Sequence, residues 1–175
     1  MTKSLEYIHH HKIIHGDIKP ENIAWGTYND KSLSNSNKIY LIDFGSSIYF
    51  WINFFNEKRD FSIKNGTYIF MSINSHLHGN PCPEDDVEMM LYTLISLTNM
   101  GLPWYNVECY PAELKKKILN MKLNFDHYQY LNDQYEFLAD CFEYLKMVNK
   151  KDEKLNYGVL KNYLFQKILL MKKVS

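Results

Sequence analysis

Hydrophobic and polar positions divide the chain into a short β-forming first part and a longer helix-forming second part. Leu5 and Ile8 are spaced as on one helix face, and His9-His10-His11-Lys12 come directly after. Basic side chains suit the negative C-terminal end of a helix, so this segment reads as the last turns of one, with the three histidines solvated. Two short apolar runs, Ile23-Ala24-Trp25 and Ile39-Tyr40-Leu41-Ile42, flank a polar loop rich in Asn, Ser and Asp. They predict a hairpin. Residues 46–65 show no periodicity. From Val87 to Leu97 the chain is apolar nearly all round, the mark of a buried helix, and Pro83 with Glu84, Asp85 and Asp86 suits its positive N-terminal end. Gly101-Leu102-Pro103-Trp104 closes that helical region with glycine and proline. Leu114, Ile118 and Met121 predict an amphipathic helix over 112–121. Phe137, Leu138, Cys141, Phe142, Leu145 and Val148 predict another over 135–148, and a last one covers 157–171. The expected fold is mainly α: a helical lobe with a small β-hairpin at its top.

Composition narrows this picture. With 46% hydrophobic and 15% aromatic residues in 175, the chain can bury a core as one domain over residues 1–175. The 20 basic and 20 acidic residues cancel, which gives no electrostatic case for a nucleic-acid or membrane partner. The lysine run 115–117 reads as a wet helix face. Three distant cysteines lack metal or redox spacing. With no apolar leader and no run long enough for a bilayer, the expectation is an intracellular protein, cytoplasmic or nuclear and not secreted. Tyr49, Phe50, Trp51, Phe54 and Phe55 form an aromatic cluster ahead of Glu57-Lys58-Arg59-Asp60. It is expected to pack on its own lobe, with a docking surface as the competing reading.

The chemistry sits at two stretches, His15-Gly16-Asp17-Ile18-Lys19-Pro20-Glu21-Asn22 and Asp43-Phe44-Gly45. A carboxylate at Asp17 can accept the proton of a hydroxyl. A lysine at position 19 can reach a phosphate, and the amide oxygen of Asn22 and the carboxylate of Asp43 are hard donors suited to Mg²⁺. The hairpin would bring Asn22 and Asp43 to neighbouring strand ends. Gly45 would supply the backbone freedom behind Asp43.

These two stretches match the catalytic-loop and metal-loop patterns of the protein kinases, His-x-Asp-x-x-x-x-Asn and Asp-Phe-Gly. With Gly16 where most kinases carry arginine, and Ser72-Ile73-Asn74 followed by His76 in place of Ala-Pro-Glu, the chain resembles the casein kinase I group, and within it the vaccinia-related kinases. Asp85-Asp86-Val87-Glu88, Gly101-Leu102-Pro103-Trp104 and Asn156-Tyr157-Gly158-Val159-Leu160 extend the resemblance. It covers the family's C-terminal lobe, with an activation segment at about 43–74. It implies transfer of the γ-phosphate of ATP to a protein serine or threonine, with Mg²⁺ as cofactor. Asp17 would be the base, Lys19 a catalytic and nucleotide-phosphate contact, and Asn22 and Asp43 the metal ligands. His15, Gly45, Thr67 and Asp86 would give structural support, Asp86 by capping backbone N–H groups of the catalytic loop. Leu91 stands where related kinases have glycine. No Gly-x-Gly-x-x-Gly occurs among the seven glycines, and no lysine-bearing strand precedes the loop. The chain by itself is therefore expected to be weakly active or inactive. The competing expectation is an inactive kinase relative that acts on another kinase or on a protein substrate as an interaction partner.

Overall fold

Local patterning along the chain becomes seven α-helices and two small antiparallel sheets among the described residues, so the fold is mainly α. The computed structural model describes residues 1–26, 38–49, 67–77, 80–151 and 154–171. Packing divides the chain into two units, essentially residues 3–93 and 94–175.

In the first unit, α1 (Thr2–His10) buries Leu5, Ile8 and His9 on one face. Positions i, i+3 and i+4 share a helix face, which explains this stripe. The burial of His9 corrects the expectation of a solvated histidine run, since only His10 and His11 are exposed. Strand β1 (Ile13–Ile14) pairs antiparallel with β4 (Ile48–Tyr49), with Ile14 opposite Ile48. Strand β2 (Ile23–Trp25) pairs with β3 (Ile39–Leu41), with Ile23 opposite Leu41, as the hairpin pattern predicts. The Gly26 N–H to Lys38 carbonyl bond carries the ladder one step further. Helix α2 (Ile73–His76) is capped by Ser72, whose hydroxyl oxygen accepts from the Ser75 N–H. Helix α3 (Pro83–Ser96) comes next, with Val87, Met90 and Leu91 fully buried, in keeping with its all-round apolar sequence.

The second unit contains α4 (Pro111–Leu123), α5 (His127–Tyr130), α6 (Glu136–Lys151) and α7 (Tyr157–Met171), with α6 packed against both α5 and α7. Buried Trp104 meets Phe125 edge to face at 5.1 Å, and Phe125 meets His127 at 4.6 Å in the same manner. His127 stacks on Phe142 of α6 at 4.0 Å. Edge-to-face and offset contacts suit the ring quadrupoles, so this aromatic chain fixes the α4–α5 connection on α6. Tyr130 donates to the Met100 carbonyl at 2.8 Å and so holds the turn at Gly101, whose φ of +66° favours glycine.

No helix among the described residues is long and apolar enough to cross a membrane. Cys82, Cys109 and Cys141 are free thiols. Of the aromatic cluster only Tyr49 lies within the described residues, where it is exposed. The remainder, together with Gly66, lies outside them.

Candidate active site

Asp86 organises the loop that carries Asp17. Its fully buried carboxylate accepts from the His15 N–H at 2.7 Å, the Gly16 N–H at 2.8 Å and His9 Nε2 at 2.9 Å. A buried carboxylate without donors would be costly, and three donors satisfy it. Asp86 lies on α3 and His9 on α1, so two helices hold one loop. Thr93 of α3 adds a longer bond to the Ile18 carbonyl, 3.4 Å.

His15, buried, ties this loop to the next. Its Nε2 donates to the Ile42 carbonyl at 3.1 Å, and its Nδ1 accepts from the Asp17 N–H at 3.3 Å. One donor and one acceptor nitrogen define a neutral imidazole with the proton on Nε2. The ring also lies 4.7 Å from that of Phe44. Gly16 has φ of +78°, and a Cβ built there would stand 3.0 Å from the Ser46 carbonyl oxygen. Glycine is therefore set here by local backbone geometry.

Asp17 has two unlike oxygens. Oδ2 accepts from Lys19 Nζ at 2.7 Å and from Asn22 Nδ2 at 3.0 Å. Oδ1 is buried and accepts from no group among the described residues. Asn22 Nδ2 also donates to the Asp17 carbonyl at 2.8 Å. With its nitrogen committed, the Asn22 amide presents its oxygen on the other side. The Ile42 N–H donates to the Asn22 carbonyl at 3.0 Å, next to the β2–β3 register, so Asn22 and Asp43 do sit at neighbouring strand ends.

Asp43 is exposed and takes φ of 61° and ψ of 73°. The left-handed residue of this loop is thus Asp43, which corrects the expectation that Gly45 supplies the unusual backbone. Asp tolerates this region better than most residues because its side chain bonds locally. Here Oδ1 accepts from the Gly45 N–H at 3.2 Å. A Cβ on Gly45 would fall 3.0 Å from that same oxygen, which gives Gly45 a different reason to be glycine.

The donor set fits Mg²⁺. Asn22 and Asp43 offer hard oxygens from adjacent loops, and no group of three His, Cys, Asp or Glu residues among the described residues forms a metal cage. A sparse set of this kind suits a cation that keeps water and phosphate oxygens as its other ligands.

Ser72-Ile73-Asn74 is fastened to the start of α3. Buried Asp85 accepts from the Ser72 hydroxyl at 2.7 Å, Asn74 Nδ2 at 2.9 Å and the Cys82 N–H at 2.9 Å. Glu88 accepts from the Ile73 N–H at 3.0 Å and from the Tyr92 hydroxyl at 2.7 Å. Burial, together with the Asp85 and Glu84 carboxylates beside it, pushes the Cys82 thiol far up. Thr67 begins a short 3-10 turn, Thr67–Ile69. The sequence-based reading missed His9 and Asp85. The i, i+3, i+4 spacing of His9 with Leu5 and Ile8 was the available signal for the first. For Asp85 the only signal was its place in an acidic helix start.

The family model for the protein kinase domain matches residues 1–72. A probable casein kinase I homolog of Encephalitozoon cuniculi is 35% identical over 106 residues, 59% of this chain and 31% of the relative. The serine/threonine-protein kinase VRK1 of Caenorhabditis briggsae is 34% identical over 111 residues, 63% of this chain and 19% of the relative. A probable serine/threonine-protein kinase of Dictyostelium discoideum is 30% identical over 172 residues, 97% of this chain and 32% of the relative. The chain thus spans less than a third of the length of these curated relatives.

Proposed function

We propose that this chain, which is similar to protein kinases of the casein kinase I and vaccinia-related group, holds the phosphoryl-transfer centre of a serine/threonine kinase. The unpartnered, buried Oδ1 of Asp17 carries this reading. A carboxylate oxygen left without a donor is unfavourable unless something else donates to it, and a substrate hydroxyl is the group that would.

In this reading Oδ1 of Asp17 accepts the hydroxyl hydrogen bond and aims the oxygen at the γ-phosphorus of ATP. The new P–O bond forms as the bond to the departing ADP oxygen breaks, and the hydroxyl proton passes to Asp17. Lys19 and Asn22 hold the other oxygen, Oδ2, and so set the carboxylate plane. Lys19 can exchange this contact for a phosphate oxygen and offset charge there. Asn22 and Asp43 would hold Mg²⁺, which when bound neutralises charge on the transferring phosphoryl group. Catalysis of this kind rests on positioning, and the chain has no glycine-rich phosphate loop. We therefore expect slow turnover from the purified chain.

The test is phosphotransfer from labelled Mg²⁺-ATP to a mixed protein substrate, beside Asp17→Asn. The reading expects a weak signal that falls at least about tenfold in the variant. Equal signals in both proteins would sink it.

A second reading has its own observation. Trp25, Tyr40, Ile42 and Phe44 are exposed in the hairpin and the adjoining loop. Apolar side chains grouped in sequence at a surface invite a protein partner. In that case the chain acts by binding another kinase or its substrate, and Trp25→Ser with Tyr40→Ser would abolish capture of that kinase without any change in phosphotransfer.

A further inference from the structure

A cleft of about 670 Å³ opens beside the α4–α5 connection in the second unit. Among its walls are Phe125, Asp126, His127 and Tyr128 on one side and Glu143 and Lys146 of α6 on the other. Nothing in the phosphoryl-transfer reading uses it.

His127 is the unusual group. It is 6% exposed, and its ring faces are occupied by Phe142 and the edge contact to Phe125. Neither ring nitrogen makes a hydrogen bond among the described residues. The imidazole thus lines the cleft with nitrogens that no described residue engages. Burial pushes the imidazole down to about 4; Lys146 acts in the same direction, and Glu143 and Asp126 oppose it. The ring is thus neutral at pH 7 and keeps one nitrogen as an acceptor.

The surrounding charge is negative. Asp126 and Glu143 line the cleft, and the carboxylates of Asp140 and Glu136 act on Tyr128 from nearby. Lys146 is the cation on the walls, and it is already paired to Glu143 at 2.6 Å. An anion would meet several carboxylates. A coordinated metal is disfavoured because no three His, Cys, Asp or Glu residues among those described converge. A planar cation with several N–H donors meets both requirements: it can donate to the ring nitrogen and to two carboxylates at once. The Tyr128 ring, 47% exposed, offers a face on which such a group can stack.

We propose that this cleft binds an arginine side chain of a partner peptide, with the guanidinium between Asp126 and Glu143 and donating to His127. An ammonium group matches the geometry less well, because it is a point charge without the fork. Lys146 acts as an internal competitor for Glu143, so its removal should favour the ligand. Binding at this cleft is independent of phosphoryl transfer, and no part of its test requires activity.

The experiment uses the full chain labelled with ¹⁵N and follows the His127 ring nitrogens by NMR. It titrates a blocked Gly-Gly-Arg-Gly-Gly peptide, its citrulline counterpart and free arginine. The arginine peptide should shift the His127 ring resonances saturably, and citrulline, equal in shape but uncharged, should not. Glu143→Gln and Asp126→Asn, which keep side-chain volume and a helix-capping group, should each weaken binding about threefold or more. Lys146→Gln should tighten it about two- to threefold. Equal response to arginine and citrulline peptides, wild-type affinity in both carboxamide variants, or weaker binding in Lys146→Gln would overturn the assignment. Free arginine binding as tightly as the peptide would overturn the peptide as the ligand.

Discussion

Among the described residues two glycines take left-handed backbone angles, Gly16 at φ +78° and Gly101 at φ +66°, but only one is crowded. Replacing each with alanine separates backbone strain from steric collision. At Gly101 a Cβ meets nothing within 4 Å. The cost there is the left-handed conformation, about 1–2 kcal/mol for a residue with a Cβ. Loss of unfolded-chain freedom offsets about 0.4–1 kcal/mol of that. Gly101→Ala should therefore cost about 1 kcal/mol net. At Gly16 the same terms apply, and the new Cβ also stands 3.0 Å from the Ser46 carbonyl oxygen. That oxygen belongs to backbone, next to Ser47, whose hydroxyl donates to the His15 carbonyl at 3.2 Å. It cannot swing away as a side chain would. The loop itself is pinned by Asp86. A collision that shifts pinned backbone adds about 1–3 kcal/mol, as overpacking does. Gly16→Ala should then cost about 2–4 kcal/mol in all. For a chain of this size, each kcal/mol lowers the unfolding midpoint by about 2–4 °C. Thermal unfolding followed by circular dichroism should place Gly16→Ala about 4–16 °C below the wild type and Gly101→Ala only about 2–4 °C below. Equal midpoints for the two variants would refute the role assigned to Ser46. A Gly16→Ala midpoint at the wild-type value would refute the strain argument as well.

Two further outcomes test the supports of the site and the cleft. Ser72→Ala removes the cap of α2 and one donor to the buried Asp85, and should lower stability in urea by about 2–3 kcal/mol, with Ser72→Thr recovering most of it; a loss under about 0.5 kcal/mol would count against this network. His127, with its ring held down to about 4 in the folded chain against an ordinary value of 6.5, binds its proton more readily once unfolded. Stability is therefore full above pH 6.5, declines as pH falls from there to about 4, and levels below it, a change on the order of 3 kcal/mol. His127→Phe should flatten that decline in urea midpoints measured between pH 7 and pH 4.

Local periodicity and motif spacing made much of the fold legible. The all-round apolar run at 87–97 could only be a buried helix, and α3 covers nearly all of it. The hairpin was readable because Ile23-Ala24-Trp25 and Ile39-Tyr40-Leu41 are β-forming runs on either side of a polar stretch. Pairing of β1 with β4 was not readable, since two-residue strands carry no period and gain their register from what they pack on. His9 shows the same limit. Its helix face is shared with Leu5 and Ile8, but its partnership with the carboxylate of Asp86, 77 positions away, is written in no local window. His127 was likewise a plain polar residue in sequence until Phe125 and Phe142 closed on its faces.

By itself, then, the sequence determined the family resemblance, the five longer helices and the identity of the polar groups at Asp17, Lys19, Asn22 and Asp43, because each is encoded within one short window. Tertiary structure alone decided which oxygen of Asp17 is left open, which residue of the Asp-Phe-Gly loop takes the left-handed turn, and why residue 16 is glycine. Each of these depends on atoms brought together from distant windows, where hydrogen bonds and collisions are set by packing and no local pattern records them.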